Sequence, residues 1–182
     1  MVDGTFNTPY LMAPVKNGVN IIIHSLTKWM GGHGVAIGGV VVDGGNFDWG
    51  STDKFSTISE PHYAMDGINF YEEFGPVAFT AKFRAEAMYN FGPCLAPMNA
   101  FHILQGLETL PLRMQRHIEN TQELLKFLIS HEQISWVRHP SLPEHPQHEL
   151  AAEMLPRGAG SIITFGIKLS LIHISEPTRR IT

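Results

Sequence analysis

The pattern of apolar and polar positions separates a glycine-punctuated, strand-rich first stretch from a helix-rich second one. Residues 19–24 form a largely apolar, mostly β-branched run and predict a buried strand. Ahead of it, Val2-Asp3-Gly4-Thr5-Phe6-Asn7-Thr8-Pro9-Tyr10 reads as a strand end breaking into a loop, and residues 14–18 as a short turn or helix stub. Gly31, Gly32 and Gly34 end the run in a turn that needs unusual backbone angles. Residues 35–42 predict a second buried strand, closed by Asp43-Gly44-Gly45-Asn46. Residues 47–75 are aromatic, polar and weakly periodic, and predict a long surface excursion.

Helical spacing then takes over. Val77, Ala81, Arg84, Ala85 and Met88 share a face of a helix that stops at Gly92-Pro93. Residues 98–110 predict a second helix, and Pro111 opens a third that keeps Met114, Ile118, Leu125 and Leu128 on one side. A short strand over 134–137, a helix over 145–155 and a strand over 161–167 follow. The change of pattern puts a domain boundary between residues 110 and 113. The last stretch, residues 169–182, fits nothing before it; it resembles a translated sequencing adapter and is set aside as a non-native tail.

Composition narrows the class. Apolar content of 43% and charged content of 16% read as a soluble globular protein, and a net charge of −4 gives no hint of a nucleic-acid or membrane surface. No apolar run is long enough to cross a bilayer. Cys94 is the only cysteine, so an internal disulfide is impossible and a reducing cytoplasm is the expected home. The first residues already sit inside a motif, and no cleavable signal precedes them, which suggests a chain that begins mid-domain.

The chemistry centres on Lys28. Between two buried strands, beside Trp29 and a glycine turn, its ammonium is expected to lose hydration, which favours the neutral amine that condenses with an aldehyde. Ser25 and Thr27, on a turning backbone, offer hydroxyls to a phosphate. Asp3, at the end of a separate strand, could serve as the acidic partner of a pyridine nitrogen. Each signal alone has an ordinary structural reading; together they supply a covalent link, a phosphate grip and a ring partner.

The segment VDGTFNTPYLMAPVKNGVNIIIHSLTKWMGGHG resembles the active-site segment of the Cys/Met-metabolism family of pyridoxal-phosphate enzymes, with Asp-x-Thr, a strand ending Ser-x-Thr-Lys, then Gly-Gly-His. The resemblance implies an α/β fold of the aspartate-aminotransferase type, a mostly parallel sheet flanked by helices. On that reading residues 1–110 are the second half of the large cofactor domain, and residues 111–168 a connecting helix and the start of a small domain. It implies pyridoxal 5'-phosphate joined to Lys28, Asp3 on its ring nitrogen, Ser25 and Thr27 on its phosphate, and Thr5 behind them. Gly4 departs from the family's usual asparagine.

Ser59-Glu60-Pro61-His62-Tyr63, Tyr71-Glu72-Glu73-Phe74-Gly75 and Pro97-Met98-Asn99-Ala100-Phe101 are similar to the O-acetylhomoserine sulfhydrylase branch. The implied substrates are O-acetylhomoserine with sulfide or a thiol, in a homotetrameric parent without nucleic acid or membrane. Methionine γ-lyase, cystathionine γ-synthase and a non-catalytic truncated subunit stay open. The family's upstream phosphate loop and ring-stacking tyrosine, and its downstream carboxylate-binding arginine, are not in this sequence. Ten histidines invite a metal, but His139, His145 and His148 sit in loop-like, proline-flanked positions without tight ligand pairs, and no metal is expected. His33 is expected to make a structural hydrogen bond, and Cys94 to be a small core residue.

Overall fold

The computed structural model describes residues 1–168; the set-aside tail lies outside the described residues. The chain divides into two compact units, Met1–Leu110 and Pro111–Thr182.

The first unit is built on a sheet of β1 (Val2–Asp3), β2 (Ile21–Ser25) and β3 (Gly39–Asp43), in that spatial order. β1 runs parallel to β2, with Asp3 opposite Ile23. β3 runs antiparallel to β2, with Val41 opposite Ile23 and Gly39 opposite Ser25. The sheet is therefore mixed rather than mostly parallel. From β1 to β2 the chain crosses over through α1 (Thr8–Leu11) and the tight turn Pro14–Asn17, whereas from β2 to β3 it turns straight back, and a direct return gives antiparallel pairing.

β2 is the buried strand that its sequence predicts: Ile21, Ile22 and His24 are 6%, 5% and 5% exposed. β3 is not. Val41 and Val42 are 37% and 38% exposed, and the strand starts only at Gly39. Gly38 gives its backbone groups to Leu26 and Thr27 instead of to a strand, and β2 is the one neighbour of β3 among the described residues.

The stretch after β3 is the larger surprise. It is no surface loop but supplies the core: Trp49, Ile58 and Phe70 are buried with Ile21 and Ala78. Phe47, Phe55 and Phe79 close on Trp49 at ring-centroid distances of 4.6, 5.1 and 5.3 Å. Burying a side chain of this size contributes about 1.5–3 kcal/mol. The helices here, α2 (Ser56–Ser59) and α3 (Phe70–Phe74, capped by Asn69), are too short to print a helical period on the sequence.

α4 (Ala78–Lys82), a wider turn over Phe83–Met88 and α5 (Tyr89–Phe91) make one helical run that ends at Gly92. Its Lys82 is 8% exposed; Nζ lies 2.6 Å from Glu86 Oε2 and 5.2 Å from the centre of the Phe70 ring. His62 Nε2 reaches the other Glu86 oxygen at 3.3 Å, so one carboxylate joins the aromatic stretch to the helix. Lys82 first, and then His62, hold the Glu86 carboxyl below its ordinary range. Cys94 is exposed, because Gly92-Pro93 takes the chain off the helix before it; the expected core position is not realised. α6 (Pro97–Glu108) follows.

In the second unit α7 (Leu110–Ser130) buries Met114, Thr121, Leu125 and Leu128. β4 (Ile134–Arg138) and β5 (Thr164–Ile167) pair antiparallel. α8 (His148–Met154) starts later than its sequence suggests, because residues 139–148 form successive tight turns, His139 to Leu142, Leu142 to His145 and His145 to His148. His139 is buried and spends both ring nitrogens, on Ser141 Oγ at 2.8 Å and the Gly160 carbonyl at 3.3 Å.

Glu86→Gln leaves the Lys82 ammonium desolvated without its counter-charge, whereas Lys82→Met removes the charge and keeps an apolar stem. Calorimetry is expected to show a lower melting temperature for Glu86→Gln than for Lys82→Met, the loss moderated because Glu86 is 41% exposed.

Candidate active site

The ends of β1 and β2 lie side by side. In parallel register Asp3 is opposite Ile23, so strand alternation puts Asp3, Ile23 and Ser25 on one face, and Gly4 with His24 on the other. Just past β1, Thr5 is 7% exposed and ties the two strand ends together. Its N–H donates to Asp3 Oδ1 at 2.9 Å, and its Oγ1 accepts the Ser25 N–H at 2.8 Å. The Thr5 hydroxyl first, then its N–H, hold the exposed Asp3 carboxyl below its ordinary value; the field of His24 adds to this and desolvation opposes it. Asp3 therefore stays ionised to lower pH than a free aspartate.

β2 runs into a wide turn over Leu26–Met30, closed by the Gly31 N–H on the Leu26 carbonyl at 2.9 Å, a bond spanning five residues. Within it Lys28 takes non-helical angles (φ −91°, ψ −123°). Lys28 is exposed. The burial expected of it is not met: it lies past the strand end, on a turn that leaves its side chain in solvent. The Thr27 Oγ1 accepts the Gly38 N–H at 3.1 Å and donates to the Gly38 carbonyl at 3.3 Å, which secures the return into β3.

Gly32 and Gly34 take the left-handed angles that their turn predicts, φ +71° and +65°. His33 makes its structural hydrogen bond, Nδ1 to the Gly31 carbonyl at 2.8 Å. α6 fixes the turn from one side: Gly106 lies so close to the Gly31 carbonyl that a methyl group there would collide with backbone. Among the described residues no group of three or more His, Cys, Asp and Glu side chains could hold a metal ion.

The structure thus joins Asp3 and Ser25 through Thr5, and sets Thr27 and Lys28 on the turn that follows. An ionised carboxylate, two hydroxyls and an exposed amine suit a group with a basic ring nitrogen, a phosphate and an aldehyde. Sequence reasoning gave Thr5 a lesser part than its bonds show and passed over His24. The signal for His24 was available, since period-two alternation places it beside Gly4 in the neighbouring strand.

Two substitutions probe this geometry. Thr5→Val removes the hydroxyl and is expected to raise the Asp3 titration midpoint toward its ordinary value, read by carbon-13 NMR of the aspartate carboxyls. Gly106→Ala is expected to cost about 1–3 kcal/mol in denaturant unfolding, because its new methyl meets the Gly31 carbonyl rather than a movable side chain.

Residues 1–180 match the family model described as Cys/Met metabolism PLP-dependent enzyme. The chain is 42% identical over 177 residues to an O-acetyl-L-homoserine sulfhydrylase of Leptospira meyeri, covering 92% of this chain and 40% of that protein. It is 44% identical over 170 residues to a homocysteine synthase of Schizosaccharomyces pombe, with the same coverage of 92% and 40%. A Campylobacter jejuni structure holding N'-pyridoxyl-lysine-5'-monophosphate superposes with a TM-score of 0.84 at 32% identity, over 91% of this chain and 41% of that one. An O-acetylhomoserine sulfhydrylase of Wolinella succinogenes superposes with a TM-score of 0.76 at 40% identity, over 92% and 44%. The chain spans about 40% of the length of the relatives it matches. A family match over nearly the whole sequence, on a fold shared with solved members, makes this chain a member of the Cys/Met metabolism family of pyridoxal-phosphate-dependent enzymes.

Proposed function

We propose that the protein to which this chain belongs converts O-acetylhomoserine and sulfide to homocysteine and acetate, with the cofactor held on Lys28. The observation that carries the reading is the Thr5 link, which sets an ionised Asp3 on the face of Ser25, directly before the turn that bears the amine. The sulfhydrylase relatives at about 40% identity support the reaction class.

Pyridoxal phosphate, when bound, supplies an electron sink for charge developing on the substrate. Lys28 would hold the cofactor through its amine, and the same amine would carry a proton between substrate carbons. Asp3 would offer a carboxylate to the ring nitrogen and favour its protonated form, and Thr5 keeps that carboxylate charged. Ser25 and Thr27 would offer hydroxyls to phosphate oxygens, Thr27 by turning its proton from the Gly38 carbonyl while its oxygen keeps the Gly38 N–H. In this reading residues 1–110 are half of the cofactor domain, and residues 111–168 hold the connecting helix and the start of the small domain. A cytoplasmic homotetramer fits the free thiol of Cys94 and the exposed apolar rings of Tyr89 and Phe91.

The exposure of Lys28 favours a second reading, in which the chain pairs with an intact partner without turning over. Borohydride reduction of the full-length parent with pyridoxal phosphate is expected to leave the pyridoxyl label on Lys28; label elsewhere overturns the assignment. Lys28→Ala is expected to lower sulfhydrylation by about 10²–10⁴-fold at least. Activity with methionine or cystathionine in place of O-acetylhomoserine and sulfide would move the protein to another branch of the family. If the 182-residue chain itself develops no cofactor absorption band with added pyridoxal phosphate, the pairing role is the better account of it.

A further inference from the structure

We propose that His24 is a positioning residue for the Asp3 carboxylate, acting through the backbone of Gly4. His24 sits in the middle of the sheet, 5% exposed, on the face opposite Asp3 and Ser25. Its ring packs flat against the turn that follows β1. A Cβ added to Gly4 would lie 2.6 Å from His24 Cε1, 3.2 Å from Nδ1 and 3.3 Å from Nε2, so the imidazole fills the space a side chain would take. Gly4 in turn donates its N–H to the Ile23 carbonyl at 2.9 Å, and the next residue is the threonine that grips Asp3 and Ser25. The height of the ring above the sheet therefore sets where Gly4 lies, and Gly4 sets where Thr5 delivers its two bonds.

An apolar ring would fill the same volume at less cost, because His24 Nδ1 is buried without a hydrogen-bond partner. What the imidazole adds is its field, and it is the titratable group that acts on Asp3. The residue thus does two things for one carboxylate: it props the turn mechanically and favours the charged form electrostatically. This role rests on reading Asp3 as the partner of the cofactor's ring nitrogen, yet its test needs no cofactor.

The test is a pair of single variants, read by the carbon-13 titration of Asp3 in the full 182-residue chain, with the Asp3 signal assigned through Asp3→Asn. His24→Ala withdraws the ring from Gly4, and the Asp3 midpoint is expected to rise toward that of a free aspartate. His24→Phe keeps a ring in the same space and is expected to hold the midpoint below that of His24→Ala. Folding by His24→Phe where His24→Ala does not fold is the same result in another readout. An Asp3 midpoint unmoved by His24→Ala, or a His24→Phe variant no better than His24→Ala, overturns the proposal. Failure of pyridoxal phosphate to attach at Lys28 would leave both outcomes readable and would count only against the assigned reaction.

Discussion

One threonine hydroxyl holds the candidate site together. Thr5 Oγ1 accepts a hydrogen bond from the Ser25 N–H while the Thr5 N–H donates to Asp3, so the ends of two strands, far apart in sequence, are tied through a single residue. Parallel strands have no tight turn to fix their register, and a side-chain bond at their ends substitutes for one. Because Thr5 is nearly inaccessible to water, the bond meets little competition from solvent. The position of a charged group on an open surface is thus decided by a buried neutral one.

The turn after β2 is fixed in a different way, by close approach rather than by polar contact. Gly31 and Gly106 meet backbone to backbone, and Gly38 lies against Ile103 and Leu95 as well as bonding Thr27. Such contacts leave the loop few alternatives although it contributes little to the core. They also explain how an exposed lysine can have a defined backbone position while its side chain stays in water.

Much of this was legible in the sequence, for identifiable reasons. β2 reads as a strand because five consecutive positions prefer the same backbone region and most are buried. α6 and α7 read as helices because they are long enough to repeat their apolar positions. The core role of the stretch around Trp49 was hidden because rings from one-turn helices converge in space without any period along the chain. β3 misled because three valines in a row promise burial, whereas its burial depends on what lies beside it. For the site, the residue types at Asp3, Ser25, Thr27 and Lys28 announced the chemistry. Neither the linking of two of them through Thr5 nor the exposure of the amine could be read without a third dimension.

The turn from Leu26 to Gly31 closes over five residues where an ordinary helical turn closes over four. Such a loop is metered by length. Side chains inside it can be exchanged while the closing bond survives, but deletion of any one residue would let the ladder fall into α-helical step and rotate everything beyond it by about 100°. Hydroxyl and amine would then leave the turn in divergent directions. The segment should therefore keep its residue count across lineages as strictly as its threonine and lysine.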